Sequence, residues 1–251
     1  MSKTQQVTQE QYDERFYCKE GMLNSRNGTK WFPSATHILK WKTTPPELME
    51  WIGNKGYEES RRIMHRKGDL GKYVHNALER MLKDGLGWPM ADIEKDFPDA
   101  KEALFVKRAL KGALNWAENM QKKYDDFEIL EAEQSLFGAD YAGTVDLLVK
   151  MGGETWLIDF KTSKSVFPTH KIQVIAYQKA RGADRGAVLL LGNRTKQRYT
   201  FSPICQDVKK IISEEEWCWK QFQLIKDLFY LDHPMAKPTE EEFPEEFKFS
   251  L

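Results

Sequence analysis

The stretch 143–177 constrains the fold of this chain more than any other part of the sequence. It contains a half-apolar segment with Asp146 inside it, and a second apolar segment that leads directly into Asp159 and Lys161. Both segments have the composition of partly buried strands. Because the two strands are neighbours along the chain, we expect the side chains of two acids and one lysine to point at the same place.

Two converging carboxylates are typical of a divalent metal site. Mg2+ prefers a few carboxylate oxygens and keeps water for the phosphates of a substrate. A lysine beside such an ion steadies a hydroxide or a developing negative charge on phosphate. The acid-x-Lys spacing is weak evidence by itself, since it occurs at Asp99/Lys101, Asp159/Lys161, Asp207/Lys209 and Glu246/Lys248. Only the pair at Asp159 follows an apolar strand, with Gly-x-x-Asp upstream and Gln-x-x-x-Tyr downstream.

Length and composition set the outer limits on the fold. At 251 residues with 41% hydrophobic content, the chain can bury a proper core, and we expect one compact unit. Its 38 basic and 38 acidic residues balance, so affinity for nucleic acid has to come from local patches. The three cysteines have no CxxC spacing, which argues against a disulfide framework or a zinc ribbon. Since no apolar leader and no stretch of about 18 apolar residues occurs, we expect a cytoplasmic protein without a membrane partner.

The residue pattern predicts an α/β core with helices on its faces. Residues 16–32 indicate a hairpin around Asn27-Gly28, and Ser34 is a candidate helix cap. Helices are predicted over 45–84, with breaks near 53–56 and at Gly68 and Gly71, and over 98–123, 168–181 and 206–230. Strands are predicted over 127–138, 141–150, 155–161, 185–192 and 197–204.

Three regions follow from this pattern. They are an N-terminal hairpin and helical part over 1–125, a sheet-and-helix core over 126–233, and an acidic tail over 234–251. Apolar residues at helical spacing predict the buried side of the helix over 98–123. These residues are Ala103, Leu104, Ala109, Leu110, Leu114 and Trp116. The tail places phenylalanines between glutamates, so it is either a disordered end or a contact for a protein partner.

The motifs in this order resemble the PD-(D/E)xK nuclease superfamily in its RecB-like branch. The matching core segments are Gly-Thr-Val-Asp146, Asp159-Phe-Lys161-Thr-Ser-Lys and Gln173-x-x-x-Tyr177. Upstream, Gly71-Lys-Tyr-Val-His75 with Glu79 one turn later resembles the helical Gly-x-x-x-His motif of the branch. The segment 32–39, together with Trp51, is similar to the N-terminal segment of phage exonucleases and of the mitochondrial genome-maintenance exonuclease. The resemblance spans roughly residues 31–180.

The resemblance implies a restriction-endonuclease-like core, with a central mixed sheet flanked by helices, and a metal site. Asp146, Asp159 and the backbone carbonyl of Phe160 would bind the metal ion, and Lys161 would orient or activate the attacking water. His75 would complete the site from its helix. Because imidazole suits Mn2+ better than Mg2+, the resemblance implies Mg2+ or Mn2+ as the cofactor.

A further catalytic acid is implied on the strand before Gly143. Glu133 is the candidate, Glu131 competes with it, and the alternation of a strand puts both on the same face. Iron-sulfur relatives in this branch use four cysteines, whereas this chain has three. We therefore expect no iron-sulfur cluster.

Substrate contacts are expected around the same motifs. Gln173 and Tyr177, four residues apart on one helical face, would position the site or touch the substrate backbone, and the competing interpretation is a helix with Tyr177 packed on the sheet. Thr162 and Ser163 follow the lysine of the core motif and are assigned to the substrate as well. The basic stretch that begins at Arg61 and Arg62 leads into the His75 helix and is placed near phosphates.

The resemblance favours a metal-dependent DNA exonuclease that hydrolyses phosphodiester bonds from DNA ends. Its DNA partner would be single-stranded or have a free end, and its role would be phage-type recombination, replication or repair, in the host cytoplasm if the chain is phage-encoded. Two alternatives stay open. One is a structure-specific or restriction-type endonuclease, and the other is a non-catalytic nucleic-acid-binding module on the same fold.

Overall fold

The structure is a computed structural model that describes residues 4–9, 14–19, 30–42, 44–207, 211–234 and 236–237. Its N-terminal part contains strands β1 (Thr4–Gln9), β2 (Glu14–Lys19) and β3 (Trp31–Pro33) and helices α1 (Ala35–Leu39), α2 (Pro46–Lys55), α3 (Tyr57–Asp84), α4 (Met90–Asp96) and α5 (Ala100–Lys123). The rest contains β4 (Glu128–Phe137), β5 (Ala142–Met151), β6 (Glu154–Lys161), α6 (Pro168–Arg181), β7 (Arg185–Leu191), β8 (Tyr199–Pro203) and α7 (Glu214–Asp232).

The central sheet has five strands in the order β4-β5-β6-β7-β8. Neighbouring strands are antiparallel except β6 and β7, which run parallel and are joined by α6. A parallel pair needs such a crossover because its second strand has to start at the same edge as the first. The sheet is therefore mixed. Its central strand is β6, and Asp159 and Lys161 lie at the C-terminal end of this strand.

Helices cover both faces of this sheet. On one face α3, α4 and α5 pack against apolar side chains such as Leu147, Ile158 and Leu189. On the other face α1, α6 and α7 pack against a second set that includes Leu157 and Val188. Burial on both faces accounts for the continuous apolar runs in these strands. The predicted α/β arrangement is confirmed.

The N-terminal strands form a small sheet of their own, in the order β1-β2-β3. Phe16 of β2 pairs with Pro33 of β3, so the two arms of the predicted hairpin are present, while its turn at Asn27-Gly28 lies outside the described residues. The hydroxyl groups of Tyr17 and Thr144 lie 3.1 Å apart, which joins this sheet to β5. Ser34 caps α1, as predicted, because its hydroxyl accepts a hydrogen bond of 3.0 Å from the backbone N–H of His37.

The predicted breaks at Gly68 and Gly71 are wrong. The helical region is interrupted at Gly56, which has φ 81°, and α3 then runs unbroken to Asp84. Gly71 provides room instead of a break, since a Cβ there would lie 2.9 Å from Thr162 Oγ1. Gly68 has no atom within 4 Å of such a Cβ, so the helix simply tolerates it.

Three further predictions need correction. Leu104 and Leu114 of α5 are 45% and 44% exposed, because each lies one residue, or about 100° of helical rotation, beyond a buried alanine. Helix α4 was not predicted, since Ile93 is its single buried residue. Helix α7 begins at Glu214 rather than near 206, after the cap by Ser213. Residues 238–251 of the predicted acidic tail lie outside the described part of the chain.

Candidate active site

Three side chains from three separate elements converge beside the end of β6. They are His75 of α3, Glu133 of β4 and Asp146 of β5, and one ligand atom of each lies within 4.8 Å of the others. His75 Nδ1 is 3.2 Å from Asp146 Oδ1 and 4.0 Å from Glu133 Oε1. An imidazole and two carboxylates brought together in this way form a candidate metal site.

The position of His75 depends on a close approach of α3 to the end of β6. Gly71 lies one helical turn before His75, and its missing side chain leaves the space that the Thr162 hydroxyl occupies. The rings of His75 and Phe160 also meet edge-on, with their centroids 6.1 Å apart. The helix therefore rests on the strand end, and the next turn brings the imidazole to Asp146.

Asp146 is buried and bonded on both sides. Its Oδ2 accepts a hydrogen bond of 2.6 Å from the backbone N–H of Phe160, and its other oxygen faces His75. Burial opposes the charge on this carboxylate, but His75, Lys161 and the Phe160 N–H together outweigh burial and hold the pKa of Asp146 below its usual range. For His75, burial disfavours the charged form, yet the Asp146 carboxylate raises the pKa of the imidazole.

Asp159 and Lys161 form an ion pair beside this group. Asp159 Oδ2 lies 2.5 Å from Lys161 Nζ, and the aspartate is only 2% exposed. Burial raises the pKa of Asp159 to about 6. The charge of Lys161 lowers this pKa, and the charge of Asp146 raises it further. The structure thus brings Asp159 next to the group of three without making it one of the converging ligand atoms.

Glu133 has an unusual backbone. Its φ is 47°, in the left-handed region that a residue with a side chain occupies at a cost on the order of 1 kcal/mol. Burial, followed by the charge of Asp146, raises the pKa of its carboxyl group to about 8. Two carboxylates therefore lie close enough to compete for a proton, and such a pair is stabilised by a shared cation.

The expectation that Glu131 and Glu133 share one face is wrong. Glu131 pairs with Arg181 of α6, on one face of the sheet, whereas Glu133 points to His75 of α3, on the other. Alternation fails because Glu133 itself is left-handed, whereas the register shift of β4, between Ile129 and Glu131, does not separate the two glutamates.

The remaining residues of the core motifs make contacts within the protein. Ser163 donates a hydrogen bond of 2.7 Å to the carbonyl of Ser165, within the loop after β6. Gln173 Nε2 donates to the hydroxyl of Tyr177 over 3.2 Å. Tyr177 is 3% exposed, and its ring lies where a Cβ of Gly143 would be, 2.3 Å from Tyr177 Cε1. Burial raises the pKa of Tyr177 well above its ordinary value.

Arg61 and Arg62 lie far from the converging group. They precede His75 by 14 and 13 residues on α3, which is about 20 Å along the helix axis. Arg62 makes two hydrogen bonds of 2.8 Å to Glu59, and the Arg61 guanidinium lies over the ring of Tyr57. The structure does not bring these arginines to the site.

The sequence pattern did not predict that His170, in the first turn of α6, lies near Lys161. Its Nδ1 accepts a hydrogen bond of 3.2 Å from the backbone N–H of Phe167. Burial, with a smaller contribution from the charge of Lys161, lowers the pKa of His170 to about 3. The ring is therefore neutral near the lysine. The sequence offered no signal beyond its position shortly after the core motif.

The converging residues fit a divalent cation. Oxygen donors and one imidazole are the ligands that Mg2+ and Mn2+ accept, and the three ligand atoms lie within 4.8 Å of one another. The chain also matches the family model of the PD-(D/E)XK nuclease superfamily over residues 54–244. This protein belongs to that superfamily. Membership implies a nuclease that depends on a divalent metal and acts on DNA, and the mixed sheet flanked by helices is its restriction-endonuclease-like core.

Other comparisons add little to this assignment. A solved crystal structure of SSO0001 is similar to 64% of this chain and to 85% of its own, with 16% sequence identity and a TM-score of 0.29. No curated protein matches the chain. Among the helices of the described residues, none has the length and apolar character needed to cross a membrane.

Proposed function

We propose that this protein is a metal-dependent DNA exonuclease of the RecB-like branch, which hydrolyses phosphodiester bonds starting from DNA ends. One observation carries the proposal. The ligand atoms of His75, Glu133 and Asp146 meet within 4.8 Å of one another, beside the buried ion pair of Lys161 with Asp159. A non-catalytic module on this fold has no need to keep all five groups.

The proposed roles follow from the contacts of each group. His75, Asp146, Asp159 and the backbone carbonyl of Phe160 hold the metal ion, and Glu133, the additional acid, binds it as a member of the converging group. When bound, the ion polarises the phosphate and lowers the pKa of a water. Lys161 is fixed by Asp159 and orients the attacking water. The hydrogen bond from Phe160 N–H fixes Asp146, so the carboxylate is in place before any ligand binds.

Mg2+ and Mn2+ are both proposed as cofactors. The carboxylate oxygens suit Mg2+, whereas the imidazole of His75 favours Mn2+, which binds nitrogen ligands more strongly. We therefore expect activity with either ion and tighter binding of Mn2+.

The finer assignments concern the substrate and its context. Thr162 and Ser163 at the end of β6, together with Gln173 and Tyr177, shape the substrate side of the site, and Arg61 and Arg62 contact a more distant part of the DNA. Preference for DNA ends is supported by the resemblance of segment 32–39 to phage and mitochondrial exonucleases. The proposal includes a role in recombination, replication or repair in a host cytoplasm. It also includes the three-region organisation and a protein contact through the acidic tail.

A digestion assay on end-labelled single-stranded, double-stranded and closed circular DNA tests the function. The intact protein with Mg2+ or Mn2+ is expected to degrade linear DNA and to spare circles, and Asp146→Asn and Lys161→Ala are expected to lose this activity. Lys101→Ala is the matched control, because Lys101 belongs to another acid-x-Lys pair and is exposed at the start of α5.

The outcomes separate the alternatives. Cutting of circles would replace the exonuclease by an endonuclease. DNA binding without cutting of any substrate would make the protein a binding module. Equal activity in Lys101→Ala and Lys161→Ala would exclude the proposed role of Lys161.

A further inference from the structure

Helix α3 presents three charged or titratable residues at intervals of four, which places them along one face. They are His75, Glu79 and Lys83. Lys83 Nζ donates a hydrogen bond of 2.7 Å to Glu79 Oε1 and a second one of 3.2 Å to the backbone carbonyl of Glu133. The same helix therefore supplies the imidazole of the site and holds the main chain of the strand that carries the acid.

Lys83 contacts the carbonyl of Glu133, the residue of β4 with a left-handed backbone. Glu133 has φ 47°, whereas its neighbours Ala132 and Gln134 pair regularly with Leu147 and Val145 of β5. A left-handed residue with a side chain persists when its surroundings hold it there. The contact from Lys83 is one such restraint. In an ordinary strand conformation, alternation would set the direction of the Glu133 side chain instead.

We infer that Lys83, itself held by Glu79, is a positioning residue for the metal site. It fixes the main chain of Glu133 so that the carboxylate joins His75 and Asp146. The inference rests on the proposed function, since it takes those three residues as the metal-binding group. Lys83 acts through Glu133, whose carbonyl it contacts, and is not itself one of the three converging ligands.

The positioning role of Lys83 and the charge of Lys83 predict opposite changes in metal affinity when this residue is replaced. An ammonium group near a cation site repels the cation, so at a pH where Glu133 is ionised, loss of the charge alone tightens metal binding. Loss of the restraint on Glu133 weakens metal binding, because a ligand whose supporting hydrogen bond is removed no longer lies in place. The direction of the change therefore separates the two roles.

The test is a calorimetric titration of the intact protein with Mn2+ alone, without DNA, at a pH above the pKa of about 8 of Glu133, so that the charge of Lys83 no longer affects metal binding through this carboxyl group. Lys83→Met keeps the apolar stem and removes the donor, and it is expected to raise the Kd for Mn2+ about tenfold or more. Lys83→Arg is expected to restore most of the affinity, since it donates from a similar place. Lys72→Met is the control, an exposed lysine on the same helix, and is expected to bind Mn2+ as the parent does.

Two further variants distinguish the positioning role of Lys83 from general damage to the fold. Glu79→Gln leaves Lys83 in place and weakens its anchor, so a smaller loss of Mn2+ affinity is expected. In a Glu133→Gln background, Lys83→Met is expected to cause no additional loss, because the residue through which it acts no longer binds the metal. Thermal melting of every variant shows whether the fold is intact.

Each result bears on one of the two proposals. If the parent protein binds Mn2+ and Lys83→Met binds it equally or more tightly, the role of Lys83 is overturned and the proposed function stands. An additional loss in the Glu133→Gln background also overturns it. If the parent protein binds no Mn2+, the site and the proposed function fail together with the inference.

Discussion

The hydroxyl oxygen of Thr162 lies 2.9 Å from the place where a side chain at Gly71 would begin. This contact joins the middle of α3 to the chain just beyond β6, one helical turn before His75. A side chain at position 71 would force either the Thr162 side chain or the helix to shift, because a Cβ does not approach a heavy atom this closely. A shift of the helix would change the distance from His75 to Asp146.

Substitution of this glycine tests the contact. Gly71→Ala is expected to raise the Kd for Mn2+ several-fold, since either Thr162 or α3 has to move. Gly68→Ala is the matched control on the same helix, because nothing lies within 4 Å of its added Cβ. It is expected to leave Mn2+ binding unchanged and to stabilise the protein by about 1 kcal/mol through helix propensity. Calorimetry and urea denaturation measure the two effects.

The double variant Gly71→Ala with Thr162→Ala decides the cause. If the clash is with the Thr162 hydroxyl, removal of that hydroxyl restores Mn2+ affinity. Unchanged affinity in Gly71→Ala alone would show that the close approach does not set the position of His75.

Gly143 and Tyr177 give a second prediction, which concerns stability. A Cβ at position 143 would lie 2.3 Å from Tyr177 Cε1, and the tyrosine ring is fully enclosed. Gly143→Ala is therefore expected to lower the free energy of unfolding by about 2 kcal/mol through overpacking. Gly87→Ala, with nothing within 4 Å, is the control and should change it by less than about 0.5 kcal/mol. Urea denaturation measures both, and similar values for the two variants would contradict the packing argument.

Metal binding is expected to release protons. Without metal, burial and Asp146 raise the pKa of Glu133 to about 8, so most of this carboxyl group is protonated at pH 7. Since the bound form needs a carboxylate, Mn2+ affinity should rise as pH increases from 6 to 8 and fall in the other direction. Titrations at pH 7 in two buffers with different heats of ionisation count the protons. Glu133→Gln should release fewer, and equal heats in both buffers for the parent protein would refute the prediction.

His170 is expected to make the folded protein sensitive to acid. Burial and Lys161 lower the pKa of His170 to about 3, whereas an unfolded histidine titrates near 6.5. Below pH 6.5 the unfolded chain therefore takes up a proton that the folded chain does not, so stability is lost as pH falls from about 6.5 towards 3. His170→Gln should flatten this decline in urea denaturation between pH 7 and 4. His65→Gln, at an exposed position of α3, is the control and should keep the slope of the parent protein.

Local patterns were sufficient to predict most elements of the central core. The apolar runs of β5 and β6 and the amphipathic α6 were predicted to within one or two residues, since they depend on neighbours along the chain. The acids and the lysine of the core motif were recognised for the same reason. Gly71, by contrast, was interpreted as a helix break, because a sequence does not show which residue will face a glycine across the fold.

The candidate site separates what the sequence determines from what the tertiary structure determines. The sequence by itself determined which groups are present: an imidazole on a helix, acids on adjacent strands, and a lysine two residues after one of them. Only the tertiary structure decided that Glu133 rather than Glu131 reaches His75, because a left-handed residue overrides strand alternation. It also brought Lys83 to the carbonyl of Glu133, fifty residues away along the chain. Contacts at such separation depend on how helix and sheet pack together, and no local pattern encodes that.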